Sequence, residues 1–385
     1  MPTSPAPYDL APLVAILMIG GLLAGLPFAW VWWRNRDRGP IGRLQALTVL
    51  TLFLSFDLVL FGAYTRLTDS GLGCPDWPGC YASASPLGAH HEITAAQQSR
   101  PDGPVTPGKA WIEMIHRYLA TGVGGLTLML TVLSWRAARR PELPVSPWWA
   151  TLTLLWIGLQ GAFGALTVTM KLYPLVVTAH LLGGLGLLAL LAIQNEAYAR
   201  RPLALAPGLR RGAVLLTGLV GVQIALGGWV STNYAVLACR DFPTCQGSWW
   251  PAMDFAHGFA LLRELGASKD GGFLPFAALT AIHYVHRLVA YGVLGALLAY
   301  AWRLLASRRQ ALRAWAATCV GLAAWQLGSG LLNVVLGAPL VAAVAHTAGA
   351  AALVVLLASL LARSRVRAPA FASQGRPLGA LRPAP

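Results

Sequence analysis

Charge is what this chain lacks. Only 11% of its 385 residues are Asp, Glu, Lys or Arg, where an average soluble domain carries about 25%. Acidic residues are the scarcer kind, 14 against 29 Lys and Arg. So few charges cannot cover a soluble fold of this length, and a 56% hydrophobic content excludes intrinsic disorder. Cysteine is sparse as well: five residues exclude a disulfide-dense secreted scaffold. What the chain has in quantity is apolar sequence, with a mean hydropathy of +0.58. The class that remains is a polytopic membrane protein. A net charge of +15 would ordinarily suggest nucleic acid. Here the charge falls in short clusters between apolar runs, so topology accounts for it and no nucleic-acid partner is expected.

A helix crosses the hydrocarbon core with about 20 apolar residues. Nine runs of that kind are expected, at about 10–33, 44–64, 110–134, 148–167, 175–196, 212–231, 277–302, 314–332 and 339–361. The first is read as a true span rather than a signal peptide, because Trp30, Trp32, Trp33 and Arg34 stand where small cleavage-site residues would. Alternate loops and the C-terminal tail carry 20 of the 29 Lys and Arg, among them Arg34, Arg136, Arg200, Arg303 and Arg367. The positive-inside rule then places the N-terminus outside, the C-terminus in the cytoplasm and the long loops 65–109 and 232–276 outside. The Pro-, Ala- and Arg-rich residues 363–385 are expected to form a disordered cytoplasmic tail.

The chain repeats itself. Cys74-Pro75-Asp76-Trp77-Pro78-Gly79-Cys80 returns as Cys239-Arg240-Asp241-Phe242-Pro243-Thr244-Cys245, 165 residues on. Ile115-His116-Arg117 returns as Val285-His286-Arg287, and Gln160 as Gln326. Pro174 before His180 returns as Pro339 before His346. The expected fold is all-α: two pseudo-symmetric four-helix bundles, 44–200 and 201–362, related by an axis along the membrane normal, with residues 1–43 supplying an extra N-terminal span and linker.

Ionisable side chains inside spans are costly, which makes the histidines the chemical candidates. His116, His180, His286 and His346 all lie near the outer ends of their spans, roughly 8–14 Å deep at 1.5 Å per residue. They come two per repeat, on helices that run parallel. That pattern suits a planar ligand held between two axial imidazoles, a bis-His haem in each half. Zinc fits less well, since it takes three or four converging ligands and each pair supplies two. His283, one turn before His286, is read as a packing or interfacial residue. His90, His91 and His257 are read as solvated loop residues.

Arg66, Arg117 and Arg287 lie near the same level, either to pair with haem propionates or to snorkel to the interface. Glu113 shares a helix face with His116. It is read either as a proton relay beside one haem or as a carboxylate facing water at a helix N-terminus. Cys74, Cys80, Cys239 and Cys245 fall in outside loops, where disulfides persist. Their three possible connectivities stay open, as do structural and redox roles. Cys319 is a packing residue.

The stretch from Phe61 through Arg66 and Leu72 to Cys80, together with Glu113-Met114-Ile115-His116-Arg117, Gly227 to Tyr234 and His283-Tyr284-Val285-His286-Arg287, resembles the haem A synthase family over about 45–361. The resemblance implies an eight-helix core that oxidises the C8 methyl of haem O to the formyl of haem A for cytochrome oxidase. It implies haem b on His286 and His346, substrate haem O on His116 and His180, and a catalytic role for Glu113. It also implies a Cys74–Cys80 disulfide; the second cysteine pair is found in only part of the family. The implied partners are a haem O synthase and an electron donor such as a ferredoxin or quinol, in the lipid of a bacterial inner membrane, with a homo-oligomer as a further expectation. The rival reading is a di-haem b-type electron carrier, which would use the same histidines without altering a haem. A transporter fits poorly, because the polar residues cluster near the outer face rather than the midplane.

Overall fold

Proline and chain polarity set where these helices begin, and their apolar runs set how far they reach. The computed structural model describes residues 10–141 and 143–365. It contains α1 (Ala11–Arg34), α2 (Gly39–Leu67), α3 (His90–Ser99), α4 (Pro107–Ala137), α5 (Pro147–Thr169), α6 (Pro174–Ala199), α7 (Pro207–Thr232), α8 (Phe255–Gly258), α9 (Phe276–Ala306), α10 (Gln310–Val335) and α11 (Leu340–Arg363). Among the described residues there is no strand, and nine helices, all but α3 and α8, are long and apolar enough to cross a membrane.

Most of the helices outrun the expected apolar segments. α2 starts at Gly39 rather than 44 and α4 ends at Ala137 rather than 134. Helical geometry continues into the headgroup region, where charged residues end an apolar run but not a hydrogen-bond ladder. Prolines at the first turn of α4, α5, α6 and α7 need no amide partner there. Thr106 adds an N-cap to α4, its hydroxyl accepting from the Lys109 amide at 3.3 Å. Arg363, expected in the tail, instead closes α11. Residues 366–385 of that tail, with Arg367, Arg376 and Arg382, lie outside the described residues.

The two halves pack in the same pattern. In the first, α2 packs on α4 and α6, with α5 between α4 and α6. In the second, α7, α9, α10 and α11 repeat those pairings. One core joins α1, α2, α4, α5 and α6 around Leu47, Leu126, Leu130 and Leu191. The other is built mainly on α6, α7, α9, α10 and α11 around Leu188, Leu297, Leu304 and Leu357. The halves meet along α6 and α11, with α7 on α6 and α2 on α11.

Polar contacts close both ends of that seam. At one end Arg66 donates to the Ser231 carbonyl at 2.6 Å, and the Tyr234 hydroxyl donates to Asp69 at 2.7 Å. Each of these contacts joins residues 165 apart, the repeat offset, so repeat-equivalent positions meet there. At the other end Arg363 holds Glu196 in a fork, at 2.7 and 3.1 Å. The extra helix α1 lies on α4, where Gly20 and Ala24 face Thr121, Gly122 and Gly125. Small residues let the two backbones approach closely. The added span therefore braces the helix that carries Glu113 and His116.

Candidate haem sites

The four histidines keep their pairing in the fold. His116 on α4 and His180 on α6 lie within electrostatic reach of each other, as do His286 on α9 and His346 on α11. All four are half-buried among helices. Each imidazole also leans on a glycine of a neighbouring helix. A Cβ placed on Gly62 (α2) would stand 3.1 Å from the His116 Cε1, and one on Gly227 (α7) 3.0 Å from that of His286. The same construction gives 3.7 Å from Gly164 (α5) to His180 and 3.3 Å from Gly330 (α10) to His346. These glycines recur at the repeat offset, a signal present in the sequence but visible only once the repeat is aligned. They let each imidazole lie close against the backbone of the neighbouring helix, where a larger residue would crowd the ring. Among the described residues no three His, Cys, Asp or Glu side chains converge on one point. Each pair offers two imidazoles on facing helices, which fits the two axial positions of a haem.

The polar surroundings of the two pairs differ. His116 Nδ1 and His180 Nδ1 are buried with no hydrogen-bond partner. His286 Nδ1 lies 2.9 Å from the Gln223 amide nitrogen, and His346 Nδ1 lies 2.9 Å from the Ser329 hydroxyl.

The cysteines pair within their loops, Cys74 with Cys80 and Cys239 with Cys245. Both loops are closed alike. Cys80 and Ser83 exchange backbone hydrogen bonds at 2.8 and 3.0 Å, and Cys245 and Ser248 do so at 3.0 and 3.1 Å. The carboxylates of Asp76 and Asp241 gather loop amides, those of Tyr81 and Ala82 in one case and Gln246 and Gly247 in the other. Those amide bonds and the Thr244 hydroxyl pull the Asp241 carboxyl down to about 2.

Arg117 and Arg287 act on these loops. Arg117 donates to the carbonyls of Asp76 at 2.9 Å, Pro78 at 3.1 Å and Gly79, and to the Glu113 carboxylate. Arg287 donates to the carbonyls of Asp241 at 2.9 Å, Thr244 at 2.6 Å and Cys239 at 3.1 Å. The residue after His116 and after His286 is thus a clamp on the disulfide loop. Arg66 is engaged by Ser231 and Asp69 and stacks on the Tyr234 ring at 4.1 Å.

Glu113 does not face water. It is buried, with one carboxylate oxygen accepting from the Cys74 amide at 2.8 Å and the other from Arg117. The α4 backbone therefore ties the disulfide loop, Glu113 and His116 into one rigid unit. At the matching place in the second half, His283 is buried and its Nδ1 donates to the Ala235 carbonyl at 3.0 Å. His90 and His91 open the short helix α3 rather than lying in a loop, because the stretch to Ser99 is built of helix formers with Glu92 in its first turn. They are exposed, as expected. His257 is not simply solvated: it lies in α8 between Asp254 at 2.6 Å and Asp270 at 2.9 Å. These hydrogen bonds to two carboxylates raise its pKa above the ordinary histidine value.

A sequence model described as cytochrome oxidase assembly protein (COX15-CtaA) matches residues 45–358. The chain is 41% identical over 324 residues to a protein named heme A synthase from Shewanella oneidensis, covering 83% of this chain and 96% of the relative. It is 31% identical over 377 residues to the heme A synthase of Methylorubrum populi, with 90% and 92% covered. Against the heme A synthase of Shouchella clausii it is 28% identical over 234 residues, with 58% and 70% covered. The family match leaves out only α1, its linker and the chain end, so it spans both histidine pairs and both loops. The chain is a multi-pass membrane protein that belongs to the cytochrome oxidase assembly protein family.

Proposed function

We propose that this protein is a haem A synthase, oxidising the C8 methyl of haem O to a formyl group. The observation that carries the reading is the pair of repeat-related imidazole couples, each ring facing a glycine. Haem iron supplies the oxidising chemistry when bound. The residues around it hold and orient. His346, with a hydroxyl acceptor at Nδ1, suits a resident haem b, and His286 is its partner in that pair. His116 and His180, whose Nδ1 atoms have no partner, suit a substrate haem that must arrive and leave.

Glu113 acts through the loop amide and Arg117, fixing the start of α4 and so the height of His116. Arg117 and Arg287 hold the disulfide loops against the helices that carry His116 and His286. We place the long loops outside a bacterial inner membrane and the C-terminus in the cytoplasm, following the basic-residue bias. A haem O synthase then supplies the substrate, and a ferredoxin or quinol exchanges the electrons.

The difference between the two pairs favours one reactive half over a symmetrical electron carrier. The test is haem extraction and chromatography after co-expression with a haem O synthase. Haem A beside haem b is expected, with haem A lost in His116→Ala. Haem b alone, with haem O and electrons supplied, would leave only the carrier.

A further inference from the structure

The hydroxyl of Ser329 has one proton to give, and its geometry shows where that proton goes. On α10, Ser329 Oγ donates to the Trp325 carbonyl at 2.7 Å, one turn back. Its lone pairs then face His346 Nδ1 at 2.9 Å, so they accept a proton carried on that nitrogen. This fixes His346 as the Nδ1–H tautomer and leaves the Nε2 lone pair free for a metal. Gln326 adds a bond from its amide to the His346 carbonyl at 3.0 Å, holding the backbone beneath the ring.

At the repeat offset of Ser329 the first half has Phe163, beside Gly164 as Ser329 is beside Gly330. A phenyl ring accepts no such proton, and His180 Nδ1 is buried without a partner. Gln223 makes a second polar contact, at His286, where the first half has Leu58. Its amide nitrogen donates to the His286 carbonyl at 3.1 Å and stands 2.9 Å from Nδ1, so it offers that ring a donor and not the acceptor that Ser329 offers His346.

We propose that Ser329 is a positioning residue that locks His346 in its metal-ready tautomer and strengthens it as a donor, and that Phe163 withholds this from His180. One substitution between repeats then separates a permanent site from an exchangeable one. The inference rests on the haem reading above. A hydrogen bond to the far nitrogen of a ligating imidazole raises its basicity and favours ferric over ferrous iron.

The experiment is a spectroelectrochemical titration of the purified full-length protein. Haem retention through purification is measured as pyridine haemochrome per chain. Ser329→Ala removes the acceptor with little change of volume. It should lose about tenfold in ferric preference, read as a rise of about 59 mV for one electron. Ser329→Thr keeps the hydroxyl and should restore the wild-type potential. Phe163→Ser should slow exchange of the haem held by the first pair about tenfold. An unchanged potential and unchanged retention in haem-loaded Ser329→Ala would overturn this inference alone. A wild-type protein that takes up no haem would overturn the haem reading and this inference with it.

Discussion

Replacing Glu113 by Gln tests whether the carboxylate holds the first disulfide loop. In the native protein its two oxygens accept from the Cys74 amide and the Arg117 guanidinium, and its side chain is only 5% exposed. Removing one partner of a buried ion pair costs about 3–5 kcal/mol when the other charge is stranded. Arg117 is not stranded here, because the carbonyls of Asp76, Pro78 and Gly79 remain its acceptors. Gln also keeps one carbonyl oxygen for the Cys74 amide. What is lost is the hydrogen bond from Arg117, now faced by the Gln amide nitrogen, and the charge assistance of the bond from Cys74, about 2 kcal/mol in total. At 1.4 kcal/mol per decade that is about a 30-fold larger open population of the loop. The assay is a pulse of reductant followed by alkylation and mass spectrometry of Cys74 and Cys80. The Cys239–Cys245 loop is the internal control, since His283 stands where Glu113 does and the loop is held by Arg287, Gln246 and Tyr284. Faster reduction of the first pair with an unchanged second pair is expected. Equal rates for Glu113→Gln and wild type would refute the clamp, and equal acceleration of both pairs would show a global rather than local loss.

The glycines beside the imidazoles differ in clearance. Gly227→Ala puts a methyl 3.0 Å from the His286 Cε1 and should cost up to about 2 kcal/mol after its gain in helix propensity. Gly164→Ala, at 3.7 Å, should be neutral or stabilising in the haem-free protein, and thermal unfolding in detergent that ranks the two the other way round contradicts the geometry. The Asp254–His257–Asp270 bridge should tie α8 to the loop that follows it in a pH-dependent way. Because the folded pKa of His257 is raised, its contribution is complete below about 6.5 and is lost as pH rises through the folded value. Limited proteolysis of the 259–275 segment should therefore quicken above neutrality, and His257→Gln should abolish that pH dependence.

How far the sequence carried this reading depends on which physical signal each feature leaves. The nine spans are legible because an apolar run of about 20 residues has almost no other explanation. The histidine pairs are legible because a repeat at a constant offset marks equivalent positions. Arg117 and Arg287 are different. An arginine beside a ligand histidine reads as a partner for an acidic ligand group or the interface, because nothing local reveals that a loop some 40 residues upstream folds back on it. Most of the acceptors that the fold gives these arginines are backbone carbonyls, which leave no trace in composition. Glu113 leaves two readings open for the same reason: a carboxylate in the second turn of a helix ordinarily faces water, and only the fold brings the Cys74 amide back onto it. Ser329 and Phe163 sit within apolar runs where either residue passes as packing. Their difference acquires meaning only after the repeat has paired them and the fold has put an imidazole nitrogen against one hydroxyl. Symmetry made the two halves legible as copies; the chemistry lies in the positions where the copies disagree.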